Sequence, residues 1–229
     1  MQAQLKITVF DCAIKVASTS CIERLKKHFS NFEWNTLRAM DLKSQDYSKA
    51  NNSDVIFIFG SHSNVEDRLS WHHDLSQYTK KRLIEGVPTI GLCFGHQLIA
   101  DLFGAEVSRH KSAPLKGLRK VQFKKDFDQI VAASTLNLGV SHSYEVSTIP
   151  TDFEVLASSP ECRYDALKHL TLPYYSFQSH PEASANFFEN ECPTMTNQER
   201  ELVLRDGLKV IEAFLQISLK ELANSSKRA

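Results

Sequence analysis

Gly91-Leu92-Cys93-Phe94-Gly95 is the segment of this chain whose residue types best suit nucleophilic chemistry. Residues 89–92 read as a short apolar strand and residues 94–103 as a helix, with Leu98, Ile99 and Leu102 on one face. Cys93 therefore falls on a strand-to-helix turn. A tight turn of this kind strains the central residue and pushes its side chain out of the sheet. Small residues two before and two after let the neighbouring chains approach, and Gly91 and Gly95 hold those places. The thiol would stand at the helix N-terminus, where the dipole favours the thiolate, the reactive form. A Gly-rich turn also suits a purely structural Cys, and this pattern alone does not separate the two. Cys12, Cys21, Cys162 and Cys192 lack both the glycines and the strand–helix setting and read as structural.

A thiol nucleophile needs a base to take and return a proton, and a third group to hold that base. His180-Pro181-Glu182 follows a strand expected over residues 174–178. In extended chain, residues i and i+2 point to the same side, and the residue before a proline avoids helix. The spacing thus predicts the His180 imidazole beside the Glu182 carboxylate, which would fix the tautomer and support the imidazolium. Attack on a carboxamide also creates a tetrahedral oxyanion that needs preorganised N–H donors. The Phe94 N–H is one candidate. Gly60-Ser61, after the apolar run at 54–59, supplies the other. Taken singly, each has a plainer role: His180 as a loop histidine, Glu182 as an acid opening a helix, Gly60 as a strand stop.

These groups need a frame. Residues 5–10 and 34–40 read as strands, and the continuous apolar run at 54–59 suits a strand covered on both faces of a parallel sheet. Ser20-x-x-Glu23 looks like a capping box opening a helix that carries Ile22, Leu25 and Phe29, and residues 77–85 read as a second helix. From 105 to 180 short strand-like pieces follow one another at 105–109, 118–123, 153–158 and 174–178, and these are expected to be antiparallel. Thr196-x-x-Glu199 is a second capping box. It opens a long helix to about Leu222, with Leu202, Ile211, Phe214, Leu215 and Leu222 as its buried stripe and residues 223–229 as a frayed tail. The expected fold is α/β: a doubly wound, mainly parallel central sheet with helices on both faces and an added antiparallel strand region, in one domain over residues 1–229.

Composition bounds the function. The 229 residues carry 27 Lys+Arg and 27 Asp+Glu, so no basic surplus points to nucleic acid. No apolar run approaches the roughly 20 residues needed to cross a bilayer. Lys6, Asp11 and Lys15 interrupt any signal-like apolar core. Five cysteines without a CxxC pair fit neither a disulfide framework nor a zinc site, so a cytoplasmic setting is the simplest expectation. His62, His72 and His73 have no metal-ligand spacing, His96 is assigned no chemistry, and Trp34 and Trp71 read as core or partly exposed anchors. The basic stretch of Lys111, Lys116, Arg119, Lys120, Lys124 and Lys125 reads as a solvated strand face.

Pro88-Thr-Ile-Gly-Leu-Cys93-Phe-Gly-His-Gln97, Gly60-Ser61 and Gln178-Ser-His180-Pro-Glu182, in this order, resemble the class I (triad-type) glutamine amidotransferases, over roughly residues 54–190. Among these the chain looks most like free-standing members similar to the amidotransferase part of a GMP synthase. The resemblance implies a Cys93–His180–Glu182 triad that releases ammonia from the glutamine side-chain amide through a γ-glutamyl thioester. It implies an oxyanion hole at Gly60 and Phe94, and substrate contacts from Ser61, Gln97 and a loop at Ser141, Ser143 and Tyr144. It brings no cofactor and no metal. The chain departs from the family at Ser179, where an aromatic residue is usual, and in a Gly-poor loop at 60–63. It contains no Walker-type ATP loop, and the resemblance implies either that the ammonia feeds a separate ATP-dependent synthetase or that the chain hydrolyses glutamine unaided. Two alternatives stay open: a γ-glutamyl hydrolase or peptidase using the same triad, and a catalytically idle regulatory module on the same fold.

Overall fold

The computed structural model describes residues 4–225, in which strands and helices alternate from Lys6 onward. The first half of the chain runs β1 (Lys6–Asp11), α1 (Thr19–His28), β2 (Glu33–Arg38), β3 (Val55–Ile58), α2 (Ser70–Ile84), β4 (Thr89–Leu92) and α3 (Phe94–Leu102). Then come β5 (Glu106–Arg109), β6 (Leu115–Phe123), β7 (Thr135–His142), β8 (Tyr144–Thr148), β9 (Phe153–Ser158), β10 (Ala166–His169) and β11 (Tyr174–Phe177). Helices α4 (Ala185–Glu191) and α5 (Asn197–Ser225) close the order.

Nine strands form one sheet in the order β2-β1-β3-β4-β11-β10-β9-β6-β7, while β5 and β8 pair in a small antiparallel sheet. The strands from β2 through β11 are parallel, and those from β11 through β7 are antiparallel. The expected doubly wound α/β architecture is therefore present. Alternation along the strands divides two cores. Val55 and Phe57 face a layer containing Leu25 and Phe214, whereas Ile56 and Ile58 face one containing Leu75 and Leu98. Both faces of β3 are buried, as its unbroken apolar sequence requires.

Several expectations are corrected. Residues 174–178 do not form a wholly antiparallel strand: β11 runs parallel to β4 on one side and antiparallel to β10 on the other. Residues 141–144 are not a free loop but the ends of β7 and β8 on either side of Ser143. Ser20 does not cap α1. The helix starts at Thr19, and the Ser20 hydroxyl instead meets that of Ser184 at 2.9 Å. The Thr196–Glu199 box does form, with the Glu199 N–H donating to Thr196 Oγ1 and the Thr196 N–H donating to Glu199 Oε2. In α5 the buried stripe passes through Val203, Val210, Ile211, Phe214 and Leu215, and Leu202 is only half-buried. The helix continues to Ser225, so the part of the expected tail at 226–229 lies outside the described residues. Arg119 is not on a solvated face: it is buried against Asp165 at 2.9 Å. Among the described residues no helix is long and apolar enough to cross a membrane.

The register explains why the candidate residues converge. β3, β4 and β11 are neighbours, and Ile58 pairs with Gly91 while Phe177 pairs with Leu92. The residues just beyond these ends, at 60, 93 and 178–180, therefore leave the sheet at one edge. Ligand sites in open parallel sheets collect at that carboxyl edge.

Candidate active site

Cys93 has φ 51° and ψ −101°, a left-handed conformation that costs a non-glycine residue on the order of 1–3 kcal/mol. Two contacts hold it there. Its N–H donates to the Phe177 carbonyl at 2.8 Å, and its carbonyl accepts from the Gln97 N–H at 3.1 Å. The flanking glycines are steric necessities. A Cβ at Gly95 would run into the Ile58 carbonyl, and one at Gly91 would lie 2.6 Å from the Gly95 carbonyl oxygen. Sequence GxCxG thus becomes a strained elbow pressed onto β3 and β11.

His180 Nδ1 lies 2.9 Å from Glu182 Oε1, and both side chains are about 95% buried. A carboxylate only accepts, so Nδ1 carries the proton and Nε2 is the nitrogen left for the Cys93 sulfur. The expected pairing arises differently from the extended chain that the sequence suggests. Pro181 and Glu182 lie in a turn, closed by the Ala183 N–H donating to the His180 carbonyl. Arg24 on α1 braces this turn through Nη1 to the Ala183 carbonyl at 2.8 Å and Nη2 to the Leu204 carbonyl at 2.6 Å. Burial alone would lower the imidazole pKa. The Cys93 and Glu182 charges and the hydrogen bonds to both outweigh it and hold the His180 pKa well above its usual value.

Gly60 is wedged between base and nucleophile. A Cβ there would lie 2.6 Å from His180 Cε1 and 3.5 Å from the Cys93 Cβ. Phe94 is the first residue of α3, where helix N–H groups have no intrahelical partner. Its buried ring packs on Trp71 and His72, which fixes the start of the helix. Gly60, Cys93, Phe94, His180 and Glu182 are thus brought into one locus.

Two cavities meet at this locus. One, of about 240 Å³, is lined by Cys93 together with Ser61, Gln97, Ser141, Ser143 and Tyr144. The other, of about 410 Å³, is lined by His180, Glu182 and Gly60. Ser61, His62, Ser141 and Glu191 border both. All the expected substrate-contact residues thus line the cavity on the nucleophile side.

Three features escaped the sequence. Gln178 Nε2 lies 3.8 Å from the Cys93 sulfur and its Oε1 accepts from Gln97 Nε2 at 3.0 Å. Its signal was available, since it stands two residues before His180 at a strand end. Second, Glu191 bridges the two cavities, meeting His62 at 3.1 Å, Lys116 at 3.2 Å and the Ser141 hydroxyl at 3.3 Å. Nothing in the sequence links α4 to these partners. Third, Arg119 joins Asp165 to His142 Nε2 at 2.9 Å, and His142 Nδ1 donates to the Tyr144 carbonyl, which also accepts from Gln97. Burial first, and then the Arg119 charge, push the His142 pKa down to about 3. The neutral ring can accept from Arg119 and donate to Tyr144. His96, buried at the core of α3, meets the Ser176 hydroxyl at 2.8 Å. Among the described residues no group of three or more His, Cys, Asp or Glu side chains is arranged to hold a metal.

The family model for glutamine amidotransferase class-I matches residues 8–195, a span containing every element of this site. The chain belongs to the class-I glutamine amidotransferase family. A GMP synthase (glutamine-hydrolyzing) subunit from Pyrococcus abyssi is 34% identical over 162 residues, covering 66% of this chain and 82% of that protein. The protein of the same name from Methanocaldococcus jannaschii is 40% identical over 106 residues, covering 46% of this chain but only 56% of its own length. A crystal structure of a glutamine amidotransferase from Thermotoga maritima superposes with a TM-score of 0.68, covering 98% of each chain at 14% identity; at that identity it speaks for the fold alone.

Proposed function

We propose that the chain hydrolyses the side-chain amide of glutamine through a γ-glutamyl thioester on Cys93. The observation that carries this is the buried His180–Glu182 pair at 2.9 Å, set against Gly60 and a nucleophile elbow with φ 51°. In this mechanism the thiol proton passes to His180, and the sulfur attacks the amide carbon. Charge collects on the amide oxygen, and the Phe94 and Gly60 N–H groups are assigned as its donors. His180, steadied by Glu182, returns the proton to the departing nitrogen as the C–N bond breaks and ammonia leaves. Water, deprotonated by His180, then splits the thioester to glutamate and restores the thiol. Ser61, Gln97, Ser141, Ser143 and Tyr144 hold the acyl side in the smaller cavity.

Relatives named as one subunit of a glutamine-hydrolyzing GMP synthase support a second part of the proposal: the ammonia serves a separate ATP-dependent synthetase. An idle module is disfavoured by a strained Cys beside a buried, carboxylate-held imidazole, because backbone strain of this kind clusters at functional sites. The test is glutamate release from glutamine by the purified chain. Cys93→Ala is expected to abolish it, and unchanged turnover in that variant would overturn the mechanism.

A further inference from the structure

On β6 the buried positions are Gly117, Arg119, Val121 and Phe123. Three are small or apolar, and one is a guanidinium only 4% exposed. Taking a cation out of water is costly, and replacing a buried ion pair by apolar residues of similar volume is often neutral or stabilising. Stability alone therefore does not account for Arg119. It borders neither cavity, so any effect it has on the site passes through other groups.

Those groups form a chain with one direction. Arg119 Nη1 donates to Asp165 Oδ1 and Nη2 to His142 Nε2, both at 2.9 Å. A guanidinium only donates, so Nε2 is bare and Nδ1 carries the ring proton. Nδ1 donates to the Tyr144 carbonyl at 2.9 Å, which also accepts from Gln97 Nε2 at 2.6 Å. The second Nε2 hydrogen goes to Gln178 Oε1 at 3.0 Å. Both hydrogens of the Gln97 amide are thus spent, and its Oε1 is the atom left for the cavity that Gln97 lines. That oxygen accepts, and the α-ammonium of a glutamine donates. The Asp165 carbonyl closes the circuit by accepting from the Gln178 N–H at 2.8 Å. Without Arg119, Nε2 becomes a buried acceptor with nothing to accept. A ring protonated on Nε2 alone would set the Nδ1 lone pair against the Tyr144 oxygen.

We infer that Arg119 is a positioning residue for glutamine binding: it fixes which nitrogen of His142 carries the proton, and through the Tyr144 carbonyl it turns the Gln97 oxygen towards the substrate. This rests on glutamine as the occupant of the smaller cavity, as proposed above, and not on the cysteine chemistry. Arg119 touches neither substrate nor sulfur. It acts on affinity by holding the groups that do.

The test separates binding from cleavage by using the full chain with Cys93→Ala, which forms no thioester. Arg119→Met alone would leave the Asp165 carboxylate buried and unpaired, so it is combined with Asp165→Asn. Calorimetry with glutamine is expected to show affinity about tenfold lower when this pair of substitutions is added, the scale of one hydrogen bond to a charged group. The ring is read separately, by nitrogen NMR of the chain labelled at histidine, with His142 assigned by the loss of its signals in His142→Gln. The wild-type ring is expected as a single tautomer protonated on Nδ1, and in Arg119→Met/Asp165→Asn that single state is expected to give way to a mixture. A wild-type ring protonated on Nε2 would overturn the proposal without any variant. So would a double variant that keeps the wild-type ring state or the wild-type affinity. No glutamine binding by Cys93→Ala would overturn both the positioning and glutamine as the substrate. Arg119-dependent binding, beside a wild-type chain that releases no glutamate, would uphold the positioning and overturn the thiol chemistry.

Discussion

At the residue scale, the His180–Glu182 contact is the part of the site most open to substitution. Glu182→Gln keeps the size of the side chain but removes the charge that supports the imidazolium. Arg24 still braces the turn, so the ring keeps part of its orientation. The expected result is a kcat for glutamate release lowered by about 10²-fold, the lower end of what acid–base catalysis contributes, with KM little changed. A fall as deep as that of Cys93→Ala would mean that Glu182 does more than orient. Cys93, His180 and Glu182 were legible in the sequence because each stands in a short motif with a mechanical reason. Arg119 was not. Strand alternation gives no warning that a cation will be turned inward, and its partners Asp165 and His142 come from distant strands.

At the element scale, the site depends on the register of β3, β4 and β11. The apolar runs that became β3 and β4 were readable because strands buried on both faces leave a continuous apolar stretch. The direction of β11 was not readable, because period-two alternation is the same in parallel and antiparallel pairing. β7 was missed although Leu136, Leu138 and Val140 alternate with Asn137 and Gly139 as a strand requires; Asn and Gly have low strand propensity, yet Gly139 lies where the Phe188 ring leaves no room for a Cβ. β10, only four residues long, carries too little pattern to stand out. A substitution tests the elbow at this scale. Gly95→Ala places a methyl against the Ile58 carbonyl and must shift α3 from β3. Chemical denaturation should show a loss of about 1–3 kcal/mol, the usual cost of overpacking. Activity should fall further than stability does, because Cys93 moves with α3. A stable and fully active variant would show that the close approach is unnecessary.

At the scale of the whole molecule, the buried histidines set the acid limit. Burial holds His96 down to about 3 and His72 to about 4, and His142 is near 3 for the reasons given above. All three are neutral in the folded protein, whereas an unfolded chain protonates them near 6.5. The unfolded state therefore binds more protons as pH falls below about 6.5, and stability declines from there towards pH 4. His180 acts in the opposite sense. Its raised pKa gives a contribution that is full below about 6.5 and is lost as pH climbs through the folded value. Urea midpoints measured across this range should therefore fall on the acid side, and the fall should be shallower in His96→Gln. A flat acid limb would contradict the neutral buried histidines.

The decisive measurement is the intact mass of the protein quenched in acid during turnover of glutamine, followed by peptide mapping. A γ-glutamyl adduct on the peptide containing Cys93, absent in Cys93→Ala, is the expected result. Glutamate release with no adduct at Cys93, or with the adduct on Cys12, Cys21, Cys162 or Cys192, would contradict it.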